Sequence, residues 1–499
     1  MAVVETLVAR QSAVASAPRP SRYHKLAYSI GQTAQSGGFD GALGFVFFYY
    51  TAVLGLSGAL VGAALAVSLA FDSVVDPVVG AWSDGIRSRL GRRLPPMLLG
   101  APLMGLAMGF LFSPPTRIGE LALFAWLTLG TIAVRSFISL FNVPYFALGG
   151  EMSADYVERS SIVAWRAVAG ILVGVALTAI AFSLFFKGAD GLRHASAYPA
   201  FGWTVAAVIS AASLLCCLGT WRFAAALPSP RPARGALWRR MPAEVAEIFR
   251  NGSFRVLFVS SVVFSVAAGL NATLANHAAI FVWKLRSDTL QILTYGYLVG
   301  ILAGVGLMPA LSRRIEKKTA VIIGVIMVAV NWIVLPGLRG LGIIHFTGAE
   351  ALWPLVANGL IVGVGVGFLA VAYPSMMADA ADEHEYLSGQ RREGLYFAGL
   401  GFAGKAASGL GALTAGFALD FVGFPRHAAS EAGAAIAEPV LRRLMLADGP
   451  AAALIGLLAL AIFWPYAISR ARQEEISATL RDRRLAAALV PGEVPAPSP

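Results

Sequence analysis

The sequence predicts an all-α integral membrane protein with twelve transmembrane helices in two six-helix halves. The 499-residue chain is 57% hydrophobic and only 13% charged, with a mean hydropathy of +0.69, whereas roughly 25% of the residues in a soluble domain are charged. Twelve mainly apolar runs are each close in length to the roughly 20 residues that a helix needs to cross a bilayer. A hydrophilic, proline-containing stretch separates the first six runs from the last six.

The predicted spans follow one another with short connections. They lie near residues 26–52, 58–82, 95–113, 120–146, 163–186, 199–221, 254–283, 290–311, 319–337, 351–378, 394–421 and 449–469. The chain therefore divides into an N-terminal tail (1–25), an N-terminal half (26–221), a linker (222–253), a C-terminal half (254–469) and a C-terminal tail (470–499). We expect disorder in the proline-ended C-terminal tail. We expect the alanine-rich segment 426–446 to form an amphipathic surface helix that covers the outer opening of the bundle of helices.

Lysine and arginine set the expected orientation. The chain has 39 of them and a net charge of +11, and most lie in the tails and the even-numbered loops, such as 87–93 and 313–318. Because basic loops stay in the cytoplasm, we predict cytoplasmic termini and a location in the cell (inner) membrane. The matching basic loops after spans 2 and 8 also fit two parallel repeats, although any even-numbered loop of such a protein is basic. We expect a monomer in the lipid bilayer that binds a small-molecule solute and no nucleic acid.

Neither an enzyme site nor a cofactor is expected. The six histidines are scattered, and the sequence has no HExxH, P-loop or GxSxG pattern. Cys216 and Cys217 are adjacent in an apolar run without zinc-ligand spacing, so we interpret them as core residues. The first residues lack the apolar core of a signal peptide.

Two aspartates in span 2 indicate a cation site. Asp72 and Asp76 are four residues apart and therefore lie on one face of a helix. Carboxylates inside a membrane helix are costly and commonly handle an ion or a proton, and two close carboxylates repel unless a cation lies between them. With Ser139 of span 4 they form the predicted site for the coupling ion, H+ or Na+. The alternative is a structural pair that is hydrogen-bonded to neighbouring backbone.

Other polar and aromatic side chains within the spans are candidate solute contacts. They are Asp40, Arg135, Asn142, Phe146, Arg166 and Lys405. We expect the three cations among them to share one cavity and to offer donors to hydroxyls, carboxylates or phosphates. Alternatively, an arginine pairs with an aspartate of span 2 or extends to the membrane interface, and Asp40 neutralises one of the cations.

Charged clusters at the predicted cytoplasmic ends of the spans are candidate gates. They comprise Asp84, Arg87, Arg92, Arg93, Asp379, Arg391, Arg392 and Glu393. We expect ion pairs between the halves to close this side and to break when the protein opens inward. The alternative is ordinary solvated loop charge.

Four segments resemble the major facilitator superfamily and, within it, the glycoside–pentoside–hexuronide:cation symporter family. They are residues 71–77 (Phe-Asp-Ser-Val-Val-Asp-Pro), 84–93, 142–159 and 389–396. The resemblance extends from span 1 to span 11. It implies the major facilitator fold, in which two six-helix halves enclose a central cavity.

The resemblance also implies roles for individual residues. In this family the positions of Asp72 and Asp76 coordinate the coupling cation, and those of Arg166 and Lys405 lie near the sugar and cation sites. Asn142 stands where melibiose permease, a member of the family, has a sugar-contacting acid. The solute is therefore expected to differ from melibiose.

The implied function is cation-coupled symport of a glycoside, sugar or sugar acid by alternating access. Val75 lies where melibiose permease has an asparagine between the two acids. Since valine offers no oxygen to a hard cation, H+ is favoured over Na+. Lysophospholipid symporters share this fold and the acidic pair, so cation-coupled transport of a lysophospholipid or another amphiphilic anion is the alternative.

Overall fold

The structure is a computed structural model that describes residues 20–153, 155–227, 245–390, 393–429 and 436–489. Within these ranges, ten continuous helices are long and apolar enough to cross a membrane. They are α2 (Gly58–Gly85), α3 (Leu94–Leu111), α4 (Glu120–Glu151), α5 (Val157–Phe185), α6 (Ala197–Ala225), α7 (Gly252–Val282), α8 (Ser287–Leu311), α9 (Lys317–Gly340), α10 (Ala349–Ser388) and α12 (Glu438–Phe463). Each overlaps a predicted span.

The first and eleventh predicted spans are helical but interrupted. α1 consists of Arg22–Ile30, Ala34–Gly41, Ala42–Phe45, Val46–Phe48 and Tyr49–Val53, which alternate between α-, π- and 3₁₀-helical turns. α11 consists of Glu393–Ala406, the π-helical turn Ala407–Gly411, and Ala412–Phe421. The interruptions at Ala34–Gly41, Ala42–Phe45 and Ala407–Gly411 fall on glycine-containing sequence, where the entropy of the backbone disfavours a regular helix. With α1 and α11, the described residues contain the twelve helical crossings that the sequence predicts.

The glycines of α11 allow it to approach α2 and α7 closely. A Cβ atom at Gly411 would lie 2.6 Å from the Cα of Gly269 in α7, and one at Gly409 would overlap Leu69 of α2. No larger residue fits at either position without moving a neighbouring helix. This close approach positions Lys405, which precedes Gly409 by one turn, against α2.

The outside of the bundle is apolar. Large hydrophobic side chains that are 67–89% exposed are spread over several helices, among them Leu121, Leu129, Trp353, Phe421 and Leu454. Such a surface would be a large exposed apolar patch on a soluble protein, but it matches the acyl chains of a bilayer. The chain is therefore an integral membrane protein.

The two halves are joined at the end of the bundle that is predicted to lie outside. Asp420, at the end of α11, accepts hydrogen bonds from the first amides of α2, Gly58 N (2.8 Å) and Ala59 N (3.0 Å). Nearby, His277 Nε2 of α7 lies 2.9 Å from Thr51 Oγ1 of α1. Further contacts between the halves include an ion pair of Arg426 with Glu120 and a hydrogen bond from Ser287 N to Ala189 O. This end of the molecule is thus closed.

The segment 426–446 differs from the expected surface helix. Its last residues, Glu438–Leu446, form the first turns of α12, and this helix ends at Phe463 rather than near residue 469. Arg339 of α9 binds Glu438 at 3.0 Å, which fixes the start of α12 against the bundle. Residues 430–435, within this segment, lie outside the described residues.

The prediction of a disordered C-terminal tail was wrong for most of its length. Residues Arg470–Leu489 form a helix, α13, that packs on the end of α10. Ile476 and Leu480 are buried in this contact, and Gln473 donates a hydrogen bond to Asp382 at 3.1 Å. The N-terminal tail up to residue 19, most of the linker (228–244) and residues 490–499 lie outside the described residues.

Candidate functional site

Asp72 and Asp76 of α2 face the C-terminal half within the apolar part of the bundle. Asp72 is only 2% exposed, and its Oδ2 lies 2.7 Å from Nζ of Lys405 in α11. The same ammonium group donates a hydrogen bond to Asp76 Oδ2. Because residues four apart in a helix lie one above the other, a single ammonium can bridge both carboxylates. One lysine thus links the two halves inside the membrane.

Helix α4 supplies two more groups to Asp72. Ser139 Oγ donates a hydrogen bond to Asp72 Oδ1 at 2.8 Å, and Nη1 of Arg135, one turn earlier, lies 3.9 Å from Asp72 Oδ2. Arg135 and Ser139 are 2% and 5% exposed. Two carboxylates therefore face two cationic side chains, so the cluster is close to electrically neutral, as its burial in a bilayer requires.

Asp76 is the accessible member of the acidic pair. Its side chain is 31% exposed and that of Lys405 is 29% exposed, against 1% for Asp72. The Oδ1 atom of Asp76 is buried and accepts no hydrogen bond from the described residues. Because of the difference in exposure, an ion or proton that enters the site meets the Asp76 side chain first, while Asp72 remains enclosed.

A cavity of about 760 Å³ lies between the two halves. This volume falls in the range of about 300–1,000 Å³ that is usual for small-molecule sites. Helices α1 and α5 line one wall, and α7 and α8 line the other. Its polar lining residues are Gln32, Ser36, Asp40, Arg166, Thr178, Asn276, Thr294, Tyr295 and Tyr297. The cavity thus offers hydrogen-bond donors and acceptors from both halves.

Gln35 joins two predicted solute residues and was not itself predicted. Its Nε2 donates to Asp40 Oδ1 at 3.0 Å, and its Oε1 accepts a hydrogen bond from Asn142 Nδ2 at 2.8 Å. Asp40 therefore pairs with a neutral amide rather than with Arg135 or Lys405. In the sequence, Gln35 could be recognised only as an amide side chain within a predicted span, five residues before Asp40. An uncharged side chain is a weak indication of a functional residue.

Arg166 lies in the cavity, apart from the acidic pair. It lines the cavity with Asp40, and its guanidinium lies 4.8 Å from the centre of the Phe146 ring. Arg135 and Lys405 instead contact Asp72. The structure thus divides the three cations that were expected to share one cavity. Arg166 is the cation that faces the space between the halves.

The predicted gate residues bind partners in their own halves. Arg93 binds Asp84 and Glu151, each at 2.6 Å, and Asp379 binds Lys317 at 2.6 Å. These ion pairs stabilise each half at the end of the bundle opposite to the closed one. Of the remaining predicted gate residues, Arg92 also binds Glu151, Arg87 is exposed, Glu393 begins α11, and Arg391 and Arg392 lie outside the described residues.

A family model described as MFS/sugar transport protein matches residues 28–470. The match includes all the helices that build the acidic cluster and the cavity. The chain belongs to this family. The predicted resemblance to the glycoside–pentoside–hexuronide:cation symporters of the major facilitator superfamily is thereby confirmed.

Individual relatives are similar over most of their length. The chain is 24% identical over 411 residues to the inner membrane symporter YicJ of Escherichia coli strain K12, covering 80% of this chain and 83% of that protein. It is 24% identical over 412 residues to the isoprimeverose transporter of Lactiplantibacillus pentosus, covering 82% of each. It is 26% identical over 404 residues to the glucuronide carrier protein homolog of E. coli strain K12, covering 80% and 83%.

A solved structure shows the same fold. The inward-open conformation of the xylose transporter XylE from E. coli matches with a TM-score of 0.56 at 14% sequence identity, covering 91% of this chain and 98% of that one. The predicted major facilitator fold is confirmed.

Proposed function

We propose that this protein is a secondary active transporter that carries a glycoside, sugar or sugar acid together with H+ or Na+, and that it catalyses no reaction. The observation that carries this proposal is the Lys405 ammonium of one half, bound by Asp72 and Asp76 of the other half. Relatives that are named as carriers of glucuronide and isoprimeverose support the solute class.

The coupling ion acts on the link between the halves. An ion or proton that binds Asp76 cancels one of the two charges that hold Lys405. Two unit charges about 4 Å apart attract each other by roughly 4 kcal/mol at the effective dielectric constant of a protein surface. Removing part of this attraction is enough to supply the roughly 1–3 kcal/mol by which two ligands of a protein typically influence each other. Ion binding thereby shifts the balance between the two orientations of the halves.

A proton suits the acidic pair better than Na+. Ser139 already donates to Asp72, the Lys405 ammonium lies between the carboxylates, and Val75 contributes no side-chain oxygen. A hard metal ion needs several oxygen ligands at once, whereas a proton needs only one acceptor. Asp76 Oδ1, a buried oxygen that accepts no hydrogen bond from the described residues, is such an acceptor.

The solute would bind in the cavity between the halves. Arg166 offers a bidentate donor to the carboxylate of a sugar acid or to neighbouring hydroxyls. Asp40 lines the cavity, and behind it Gln35 donates a hydrogen bond to Asp40 and accepts one from Asn142 of α4. Asn276 of α7 contacts the same space from the opposite half. A solute held by both walls stabilises a conformation in which the walls approach each other.

The protein would lie in the inner membrane with both termini in the cytoplasm. The basic loops at one end support this orientation, and one relative is named an inner membrane symporter. In this orientation the closed end faces outward and the carrier is open toward the cytoplasm. A reporter enzyme that is active only in the cytoplasm, fused after the last residue, should be active, and inactivity would reverse the orientation.

Uptake into proteoliposomes tests the function. Isoprimeverose, a glucuronide and a lysophospholipid are offered under an imposed pH or Na+ gradient, to wild type, Asp76→Asn and the control Asp190→Asn. Asp190 carries an exposed carboxylate in an outer loop, paired to Arg193. We expect gradient-driven uptake of a sugar compound that only Asp76→Asn loses. Uptake that ignores both gradients, or survives Asp76→Asn, would disprove the coupling site, and uptake of the lysophospholipid alone would disprove the solute class.

A further inference from the structure

A second, smaller cavity lies mostly within the C-terminal half. Its volume is about 430 Å³, and it is lined by residues of α7, α8, α9, α10 and α12, with Phe182 of α5 from the N-terminal half at its edge. Most of the lining is apolar, but six side chains with hydroxyl, amide or carboxyl groups converge there: Asn271, Asn276, Thr294, Tyr297, Asn358 and Asp448. Asn276 and Thr294 also line the larger cavity between the halves. The two cavities are therefore adjacent.

Asp448 of α12 is a buried carboxyl group whose partner is neutral. It is 5% exposed, and Asn271 Nδ2 donates to its Oδ1 at 3.2 Å and to its backbone oxygen at 3.0 Å. An ionised carboxylate that is buried in a membrane protein without a cation is costly. This position therefore demands either a proton or a positive ion on Asp448.

The other ionisable groups on the surrounding helices do not supply that charge. Arg339 of α9 binds Glu438 at the start of α12, and His277 of α7 contacts Thr51 in the other half. Tyr297 of α8 lines the cavity as a neutral hydroxyl group, and α10 contributes only uncharged residues to the lining.

The backbone around Asp448 departs from a regular α-helix. Asp448 lies in the π-helical turn Ala447–Ala451, which also contains Gly449 and Pro450. Asp40, which lines the larger cavity, lies in the π-helical turn Ala34–Gly41 of α1. Turns of this kind are rare within helices and occur often at functional sites. The two halves thus each direct a carboxyl group from a π-helical turn toward a cavity.

We propose that Asp448 is a second proton-binding site, separate from the Asp72–Asp76 pair. A proton from solvent forms an O–H bond with Oδ2 and removes the negative charge, while Asn271 keeps its hydrogen bond to Oδ1. Asn271 directs its Nδ2 donor rather than its oxygen toward the carboxylate, which suits a proton better than a hard metal ion that needs several oxygen ligands. Because its cavity adjoins the one between the halves, the site exchanges protons with that space.

Infrared difference spectroscopy of the purified full-length protein in liposomes tests this site, because it detects the C=O stretch of a protonated carboxyl group. At neutral pH, we expect Asp448→Asn to lose the band of one protonated carboxyl group and the exposed control Asp190→Asn to retain it. Asn271→Ala should shift the band, since it removes the hydrogen bond to Oδ1 but keeps the carboxyl group. This variant also serves if Asp448→Asn does not fold.

Identical spectra for wild type and both cavity variants would overturn the proposal. Loss of the wild-type band when Na+ replaces K+ at constant pH would also overturn it, because the carboxylate would then hold a metal ion. The measurement needs no transported solute, so its failure would leave the proposed symport intact.

Discussion

The hydrogen bonds from α2 to Asp420 make a quantitative prediction about opening at the outer end. The carboxylate accepts bonds from Gly58 N and Ala59 N and so caps α2 from the opposite half. Substitution of such a cap by alanine costs about 0.5–2 kcal/mol, and the charge at a helix N-terminus is worth about 0.3–1 kcal/mol. Asp420 is exposed, so its bonds compete with water. We therefore expect Asp420→Ala to destabilise the closed outer end by about 1–1.5 kcal/mol, roughly a five- to tenfold shift in population.

Thiol labelling from outside the cell measures this shift. A cysteine introduced at Gly44 lines the cavity, and a Cβ atom there has no neighbour within 4 Å, so the substitution should fit. Cys216 and Cys217 are replaced by alanine, since both are free thiols. A membrane-impermeant maleimide should label this protein roughly five to ten times faster after Asp420→Ala. Asp420→Asn keeps a capping oxygen but loses the charge, so its effect should be smaller.

The matched control is Glu350→Ala at the same end of the molecule. Glu350 is an exposed carboxylate in the first turn of α10, and its helix belongs to the same half as Asp420. This variant removes a charge of the same sign without touching α2, and its labelling rate should equal that of the parent. Equal rates for Asp420→Ala and Glu350→Ala would refute the assignment of Asp420 as a lock between the halves.

Three further predictions follow from individual contacts. Arg93→Ala loses bonds to Asp84, Glu151 and Ser83 and should lower the thermal midpoint of unfolding in detergent, with a cost of about 1–3 kcal/mol. Arg92→Ala loses one ion pair and should have the smaller effect, so the reverse order would contradict these contacts. Gly300→Ala would place its Cβ 2.9 Å from the carbonyl carbon of Leu360 in α10 and should destabilise the protein by about 1–3 kcal/mol. The control Gly306→Ala, whose Cβ meets no atom within 4 Å, should not lower the thermal midpoint of unfolding. Ser139→Ala removes a hydrogen bond that stabilises the ionised carboxylate of Asp72, so it should strengthen binding of a coupling proton by about 1–2 kcal/mol. The half-saturating proton concentration in the uptake assay should then fall roughly tenfold, and an unchanged value would exclude Ser139 from the ion site.

Hydropathy predicted the helices because few backbone conformations are stable within a bilayer. Each backbone amide and carbonyl in the lipid core must be satisfied within its own helix, so an apolar run of sufficient length forms one. The hydropathy of a span is summed over about 20 residues, so it does not reveal a local change in the backbone hydrogen-bond pattern. The π-helical turns of α1, α11 and α12 were therefore not predicted, although they hold Asp40 and Asp448.

The acidic pair was predictable, but its partners were less so. The spacing of Asp72 and Asp76 fixes their common face through helix geometry alone. Their contact with Lys405, which is 333 residues away from Asp72, depends on how closely α11 approaches α2. That approach depends on Gly409 and Gly411, whose effect appears only once the two helices are packed together. The sequence could indicate that a buried cation needs an anion, but not which of several it would choose.

The two kinds of contact between the halves must behave differently during alternating access. The cap on α2 by Asp420, and the contact of His277 with Thr51, lie at one end of the molecule, so they must break when that end opens. Lys405 lies beside Asp72 and Asp76 within the span, closer to the axis about which the halves rock, so a small movement there leaves its charges within reach. An ion that binds Asp76 therefore weakens the central link without breaking it, while the outer contacts bias the same balance from one end of the molecule. On this reasoning, both groups of contacts shift the balance between the two orientations, and variants of the two groups should have independent, additive effects on the labelling rate.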